Sequence, residues 1–268
     1  MQVHCLGTAG YHPSETRHTS CYMLPESGVV LDAGTGFFRV AERIQTRSLD
    51  ILLSHAHLDH VVGLTFLLGT IHQRTLAGEP LESIRIWGQE AKLAAVRSNM
   101  LAELLFPADL PVTWHAIDSE SSFCIQPVAT GSHKVDSADE LSIEVMWKPQ
   151  HHPGQSVAYR LDWISAKTKR RLVYATDTTG ATDAETLRWL SAADLMLHEC
   201  NFSTKNKAWA LKTGHCWIDR VSQIASNACP KRLVLTHVDP MNEIQKHELE
   251  GSFDMPTSIA ADHDVIDF

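Results

Sequence analysis

Three histidines and one aspartate fall within six consecutive residues, in the segment HAHLDH at positions 55–60. Imidazole nitrogens and carboxylate oxygens are the ligands that Zn²⁺ and related divalent ions take in catalytic sites. The segment follows an apolar run at 49–53 that has the length of a buried strand. His55 and His57 alternate, so on extended backbone their rings point the same way. The spacing therefore predicts a metal site at the point where a strand ends.

Further candidate ligands lie beside later predicted strands. His152 precedes one such strand, and Asp177 and His237 each follow one. Each of these side chains alone is equally consistent with a capping or surface role. Together with the segment at 55–60, they supply the further ligands that a catalytic metal site requires.

The elements that must position these residues are short. Apolar runs bounded by Gly, Pro, Asp or Asn recur through all 268 residues and have the length and β-branched content of strands. Longer stretches with helical spacing lie between them, at 61–74, 90–104, 183–191 and 216–228. In each half of the chain, a series of predicted strands is followed by a predicted helix. This repeated order predicts an α/β fold with two packed sheets and helices outside. No linker divides the chain, so we expect a single domain over 1–268.

The composition narrows the class of protein. Hydrophobic residues make up 44% and charged residues 21%, the balance of a globular chain with a sizeable core. The net charge of −9 argues against a broadly basic nucleic-acid-binding surface. No apolar run approaches the ~18 residues of a membrane span and the N-terminus lacks the features of a signal peptide, so we expect a cytoplasmic protein without membrane contact. The six cysteines form no CxxC pair, which favours reduced thiols over disulfides or a cysteine-based zinc site.

The order HxHxDH, His, Asp, His between positions 55 and 237 resembles the metallo-β-lactamase superfamily. That resemblance implies an αββα sandwich of two mixed β-sheets flanked by helices, with two divalent metal ions at one edge. Zn²⁺ is the expected ion, and Mn²⁺ or Fe²⁺ are the alternatives. His151 is an alternative to His152, which is preferred because it directly precedes a Pro-Gly turn. The resemblance implies seven ligands. The first metal would be held by His55, His57 and His152, and the second by Asp59, His60 and His237. Asp177 would bridge the two.

Four short segments resemble the ribonuclease Z-like phosphodiesterase branch of that superfamily: LGTAG at 6–10, LDAG at 31–34, HECNF at 198–202 and GHC at 214–216. The resemblance implies hydrolysis of a phosphodiester by a metal-bridging hydroxide, which Asp59 would help to position. Glu199 and His215 would form a carboxylate–imidazole pair near the leaving group, or would only support the structure. Asp32 would orient ligands or support its loop rather than bind metal.

The predicted substrate is a small phosphodiester, including a cyclic one. Ribonuclease Z proteins with a tRNA-gripping arm carry a long insertion between the counterparts of His152 and Asp177, whereas here the interval is 25 residues. tRNA 3′-processing is therefore the less expected alternative, and a lactone or thioester hydrolase on the same metals is another. An oxygen- or nitric-oxide-reducing di-iron protein would carry Glu in place of His57. A protein with a purely structural metal site is disfavoured because every ligand position is filled. A homodimer is suggested by the resemblance alone, and the native substrate, metal and oligomeric state stay open.

Overall fold

The computed structural model describes residues 1–128, 142–164 and 169–268, and fourteen strands lie in this part of the chain. In chain order the strands are β1 (Gln2–Gly7), β2 (Cys21–Leu24), β3 (Val29–Leu31), β4 (Ser48–Leu52), β5 (Ser83–Gly88), β6 (Thr113–Ala116), β7 (Ser122–Ile125), β8 (Ser142–Gln150), β9 (Ser156–Ile164), β10 (Lys169–Ala175), β11 (Leu195–Glu199), β12 (Leu233–Thr236), β13 (Thr257–Ile259) and β14 (Val265–Asp267).

These strands form two sheets of seven. The first sheet has the order β14-β1-β2-β3-β4-β5-β6, and the second has the order β13-β12-β11-β10-β9-β8-β7. Pairing is parallel from β3 to β6 and from β10 to β13, and antiparallel elsewhere. Both sheets are therefore mixed, as expected.

Helices cover the outer face of each sheet. The α-helices are α1 (Leu58–Val61), α2 (Leu67–Leu76), α3 (Glu90–Ala95), α4 (Ala184–Leu190), α5 (Lys207–Thr213) and α6 (Ile218–Ala228). Short 3₁₀ helices occupy Thr35–Glu42, Val62–Phe66, Thr204–Asn206 and Lys246–Leu249, and a π-helical turn spans Val96–Met100. No helix in the described ranges has both the length and the apolar character needed to cross a bilayer.

Strict alternation along the central strands explains the layered core. On β10, Leu172 and Tyr174 face the other sheet, whereas Val173 between them packs under α4 and α6. On β4, Leu49 and Ile51 face the helices that cover the first sheet, and Leu52 faces the second sheet. Because successive strand residues point to opposite faces, an apolar run can fill two cores at once. The result is the predicted αββα sandwich, and this fold class is confirmed.

Two predicted helices are divided in the structure. The stretch at 61–74 begins as a 3₁₀ helix at Val62–Phe66 and becomes α2 only at Leu67. The cause is close packing at Gly63, whose N–H donates to the Ala33 carbonyl at 2.7 Å and where a Cβ would lie 2.2 Å from the Gly34 carbonyl oxygen. The stretch at 90–104 changes to a π-helical turn after Ala95 and ends at Met100.

A buried ion pair holds β9 against β10. Arg171 donates to both oxygens of Asp162 at 2.8 Å, and Arg160 donates to the same carboxylate at 3.0 and 3.3 Å. Burial raises the pKa of the Asp162 carboxyl, but the two guanidinium groups outweigh this effect and hold the pKa below its usual value. The stabilisation is therefore present above the ordinary pKa of about 3.9 and is lost as the pH falls through the lower folded-state pKa.

We expect Asp162→Asn to lower the free energy of unfolding by about 2–3 kcal/mol at neutral pH, because hydrogen bonds to a charged group are lost. The difference from the parent chain should shrink as the pH falls from about 3.9 toward the lower folded-state pKa, because the unfolded parent then takes up a proton that the folded carboxylate does not. Urea unfolding of both metal-free chains over this range measures the effect. An equal difference at every pH would contradict the assignment.

Candidate metal centre

The candidate ligands lie in loops at one edge of the sandwich. The segment at 55–60 follows β4, His152 lies between β8 and β9, Asp177 follows β10 and His237 follows β12. Because the carboxyl ends of parallel strands meet at one edge of a sheet, such loops converge. The structure thus brings together all seven predicted ligands in one cluster.

One part of this cluster is formed by His55, His57 and His152, each offering a ring nitrogen within 4.8 Å of the others. Nδ1 of His57 lies 3.3 Å from Nε2 of His152, and the Nδ1–H of His152 donates to the Gly214 carbonyl at 2.9 Å. His55 is buried, whereas His57 is exposed at the mouth of the site. His151, the alternative to His152, is exposed and belongs to no group of ligand atoms found in the described residues.

The other part is formed by Asp59, His60 and His237. Oδ2 of Asp59 lies 3.4 Å from Nε2 of both His60 and His237. Asp177 stands between the two parts: its Oδ2 lies 3.1 Å from Nε2 of His55 and 2.8 Å from Nε2 of His60, and its Oδ1 lies 3.1 Å from Nε2 of His237. Asp177 is therefore placed as a bridge would be.

The cluster fits a divalent metal site. Nε2 of His55 and Oδ1 of Asp177 are buried and make no hydrogen bond with acceptable geometry. A buried polar atom without a partner costs free energy, so such atoms point to a group that completes them. Five imidazoles and two carboxylates offer the nitrogen and oxygen donors that Zn²⁺, Mn²⁺ and Fe²⁺ accept.

Protonation in the cluster follows burial and neighbouring charge. Burial and the nearby rings of His55 and His152 lower the pKa of His57 to about 4. Burial would also lower the pKa of His60, but the carboxylates of Asp177, Asp59 and Asp32 outweigh burial and raise it well above its usual value. Because a histidine binds metal in its neutral form, the lowered pKa of His57 favours metal binding, whereas the raised pKa of His60 opposes it.

Asp32 is connected by hydrogen bonds to two of the candidate ligands, His60 directly and His55 through Ser54. Its Oδ2 accepts the Nδ1–H of His60 at 2.7 Å and the Tyr174 hydroxyl at 2.7 Å. It also accepts the Ser54 hydroxyl at 2.7 Å, and Ser54 Oγ lies 3.0 Å from Nδ1 of His55. Both histidines therefore turn Nε2 toward Asp177. Asp32 lies outside the groups of ligand atoms, and these contacts are the ones that a ligand-orienting residue would make.

Three of the residues at the site have left-handed backbone. The φ angles are 59° at Asp32, 46° at Asp177 and 52° at His237. Non-glycine residues avoid this region unless the surrounding structure holds them there. Each follows the end of a buried strand, so a sharp turn directs the side chain into the cluster.

Glu199 and His215 form a second polar pair beside the cluster. Nδ1 of His215 lies 3.2 Å from Oε1 of Glu199 and 3.5 Å from Oδ1 of Asp177. The buried Glu199 carboxylate also accepts the backbone N–H groups of Cys216, at 3.1 Å, and of Thr178. Burial lowers the pKa of His215, but the carboxylate of Glu199 outweighs burial and raises the pKa to about 9.

A cavity of about 380 Å³ opens next to His215. Tyr11, Phe202, Trp209 and Met241 are among its lining residues. None of these four residues was predicted to line the site, although Phe202 ends the HECNF segment and Tyr11 directly follows the LGTAG segment. The backbone N–H of Tyr11 donates to Oδ2 of Asp59 at 2.8 Å, so this loop also supports the cluster.

Gly10, the last residue of the LGTAG segment, lies where there is no room for a side chain. A Cβ there would lie 2.4 Å from Cε1 of His237 and 2.7 Å from Nδ2 of Asn201. Only glycine lets the backbone approach this closely.

The chain matches the family described as "Beta-lactamase superfamily domain" over residues 28–238, a range that contains all seven candidate ligands. It belongs to the β-lactamase superfamily and is a hydrolase with the metallo-β-lactamase fold. The resemblance indicated by HxHxDH is thereby confirmed.

Relatives with curated names include ribonuclease Z of Natronomonas pharaonis, which is 28% identical over 100% of this chain and 97% of that protein. Ribonuclease Z of Gemmatimonas aurantiaca is 27% identical over 93% of this chain and 89% of that protein. Human tRNase Z, short form, superposes with a TM-score of 0.69 at 22% identity, covering 100% of this chain and 99% of that structure. A diphosphatase from the PhnP family gives 0.70 at 15% identity, covering 100% and 96%. At these identities the two structures show a shared fold alone.

Proposed function

We propose that the chain is a dinuclear metal-dependent phosphodiesterase acting on a small phosphodiester. The observation that carries this proposal is the His215–Glu199 pair beside Asp177, which adds a proton-donating group to a complete ligand set. Phosphodiester hydrolysis with an alkoxide leaving group is accelerated by a proton donor where the leaving oxygen departs. The names of the curated ribonuclease Z relatives also support phosphodiester chemistry.

The ligand assignment divides the cluster between two ions, preferably Zn²⁺. The first ion would take His55, His57 and His152, the second would take Asp59, His60 and His237, and Asp177 would be shared. Two bound divalent ions supply a water of lowered pKa and offset the charge on the phosphate oxygens. Both sheets enclose one core between them, which supports the proposal that 1–268 acts as one hydrolase domain.

Three side chains, those of Asp59, His215 and Glu199, would have further roles in the reaction. Asp59, held by the Tyr11 N–H, would keep a negative oxygen directed at the reacting centre. His215 turns Nδ1 toward Glu199, which leaves Nε2 as the nitrogen that can protonate or hydrogen-bond the leaving oxygen. Glu199 would hold the imidazolium in that orientation.

The short interval between His152 and Asp177 supports a small substrate. It is filled mainly by β9 (Ser156–Ile164) and β10 (Lys169–Ala175), which pair directly with each other in antiparallel register. An arm that grips a large nucleic acid would need more chain than this interval holds. tRNA 3′-processing is the second candidate, because the relative named ribonuclease Z matches this chain over nearly its whole length.

The test is turnover by Zn²⁺- or Mn²⁺-loaded protein of bis(p-nitrophenyl) phosphate, a cyclic nucleotide, a tRNA precursor with a 3′ trailer, a thioester and a lactone. EDTA-sensitive hydrolysis of the small phosphodiesters, without cleavage of the precursor, is the expected result. Specific cleavage at the 3′ end of the tRNA would establish the second candidate. Turnover of the thioester or lactone with inert phosphodiesters would overturn both.

Replacing His215 by alanine should cost more with a poor leaving group than with a good one. We expect kcat/KM to fall about 10²–10⁴-fold for an alkyl phosphodiester, where the departing alkoxide needs a proton. The fall should be far smaller for bis(p-nitrophenyl) phosphate, because p-nitrophenolate leaves without protonation. Comparing kcat/KM for both substrates measures the effect. Equal losses on the two substrates would assign His215 a structural role.

A further inference from the structure

The cavity beside His215 has an unusually apolar wall. Three large apolar side chains at its wall remain exposed, Tyr11 at 75%, Trp209 at 52% and Met241 at 66%, while Phe202 is buried. They come from separate segments: the loop after β1, helix α5 and the loop after β12. Exposed apolar residues that converge on one cavity indicate a binding surface. A volume of about 380 Å³ suits a small organic group.

Polar side chains in the same wall already have partners within the protein. Asn201 donates to the His237 carbonyl at 2.8 Å, and the Thr213 hydroxyl donates to the Trp209 carbonyl at 2.9 Å. Asp239 accepts from the Met241 N–H at 2.9 Å and from the Asn242 amide at 3.0 Å. The cavity thus offers a ligand apolar and aromatic surface more than new hydrogen bonds. The negative charge of Asp239 also disfavours a second anionic group there.

Trp209 is the side chain best placed to contact such a ligand. It lies in the middle of α5, and the ammonium group of Lys212 sits 4.8 Å from the centre of its ring. A cation over an aromatic ring is attracted to it, so Lys212 helps to fix the orientation of the indole. In the same cavity, the ring centres of Phe202 and His215 lie 6.2 Å apart. Trp209, Phe202 and His215 all line the same cavity, so aromatic rings surround a ligand placed next to the reacting centre.

We propose that this cavity is the subsite for a neutral, planar aromatic group esterified to the phosphate of the substrate, with Trp209 as the residue that selects it. The inference rests on the proposed phosphodiesterase function, since it places the phosphate at the metal cluster and the ester group in the cavity. Because contact is through ring faces and apolar area, one aromatic group should be accepted about as well as another. The aromatic group is the aryl group of an aryl ester, or the nucleobase of a nucleoside whose sugar is esterified to the phosphate.

The test is calorimetric binding of phenyl phosphate, adenosine 5′-monophosphate and methyl phosphate to the Zn²⁺-loaded protein. The aromatic ligands should bind more tightly than methyl phosphate. Trp209→Ala should weaken phenyl phosphate binding about ten-fold, as loss of a stacking partner does, and leave methyl phosphate unchanged. Trp209→Phe should retain most of the preference. Leu211→Ala is the matched control, because Leu211 lies on the same helix, is 51% exposed and is not among the residues that line the cavity.

Two results would overturn the subsite: equal binding of phenyl and methyl phosphate by the parent protein, or a Trp209→Ala variant that weakens both equally. Parallel losses with phenyl phosphate and adenosine 5′-monophosphate would show that a nucleobase is accepted, and a loss with phenyl phosphate alone would restrict the subsite to aryl esters. Binding is measured without turnover. If bis(p-nitrophenyl) phosphate is not hydrolysed while the Trp209-dependent preference persists, the proposed function fails and the subsite stands.

Discussion

Replacing His57 or Asp59 by alanine is expected to abolish turnover and leave a folded protein. Each offers a donor to a different part of the cluster, His57 beside His152 and Asp59 between His60 and His237. Losing a group that stabilises charge in the transition state costs at least about 10²–10³-fold in kcat. His57 is exposed and Asp59 only half-buried, so the core should survive either change.

The measurements are kcat/KM, bound metal by elemental analysis, and a thermal melt of each variant. His151→Ala is the matched control, since this neighbouring histidine is exposed and outside the cluster. It should keep activity and metal, whereas His152→Ala should lose both. Substantial activity in His57→Ala or Asp59→Ala would refute the ligand assignment, and loss in His151→Ala would revive His151 as the ligand.

The second large effect is expected at Asp32. Asp32→Ala removes the acceptor of four buried donors: the N–H and hydroxyl of Ser54, Nδ1–H of His60 and the Tyr174 hydroxyl. Breaking such a buried network costs about 3–5 kcal/mol of unfolding free energy. Because His55 and His60 then lose their fixed orientation, metal affinity should also fall about 10–100-fold.

Urea unfolding of the metal-free protein and a Zn²⁺ competition titration separate these two consequences. Asp50→Asn serves as the comparison, because Asp50 is equally buried but pairs with Arg85 and Trp87. It should destabilise the protein with metal affinity unchanged. If Asp32→Ala lowers stability only, Asp32 supports the fold and does not orient the ligands.

Local patterns in the sequence were sufficient to predict two packed sheets with helices outside and to find the candidate ligands, whereas the αββα sandwich and the division of the ligands between two metals were implied by the family resemblance. The central strands carry continuous apolar runs because both of their faces are buried, and such runs are easy to recognise. The HxHxDH segment is equally local: its ligands are neighbours in sequence before they are neighbours in space. His152, Asp177 and His237 were found by their position next to such strands.

Edge elements and the cavity were harder to predict, for a physical reason. Strand β14 buries only Ile266, and helix α5 buries only Ala210, so neither has an apolar stripe of the expected period. Trp209 and Met241 reach one cavity from segments far apart in the chain. The left-handed turns at Asp32, Asp177 and His237 are imposed by tertiary packing. Short-range propensity cannot report a contact that depends on the assembled fold.

The pairing of β1 with β14 sets the point in synthesis at which β1 gains its second neighbour. Gln2 lies opposite Asp267, so one side of β1 stays unpaired until β14 has left the ribosome. The histidines at 55–60 emerge well before their partners His152, Asp177 and His237. A nascent chain stalled before residue 237 would therefore display an incomplete cluster and an uncovered strand edge, the kind of species that aggregates or recruits chaperones.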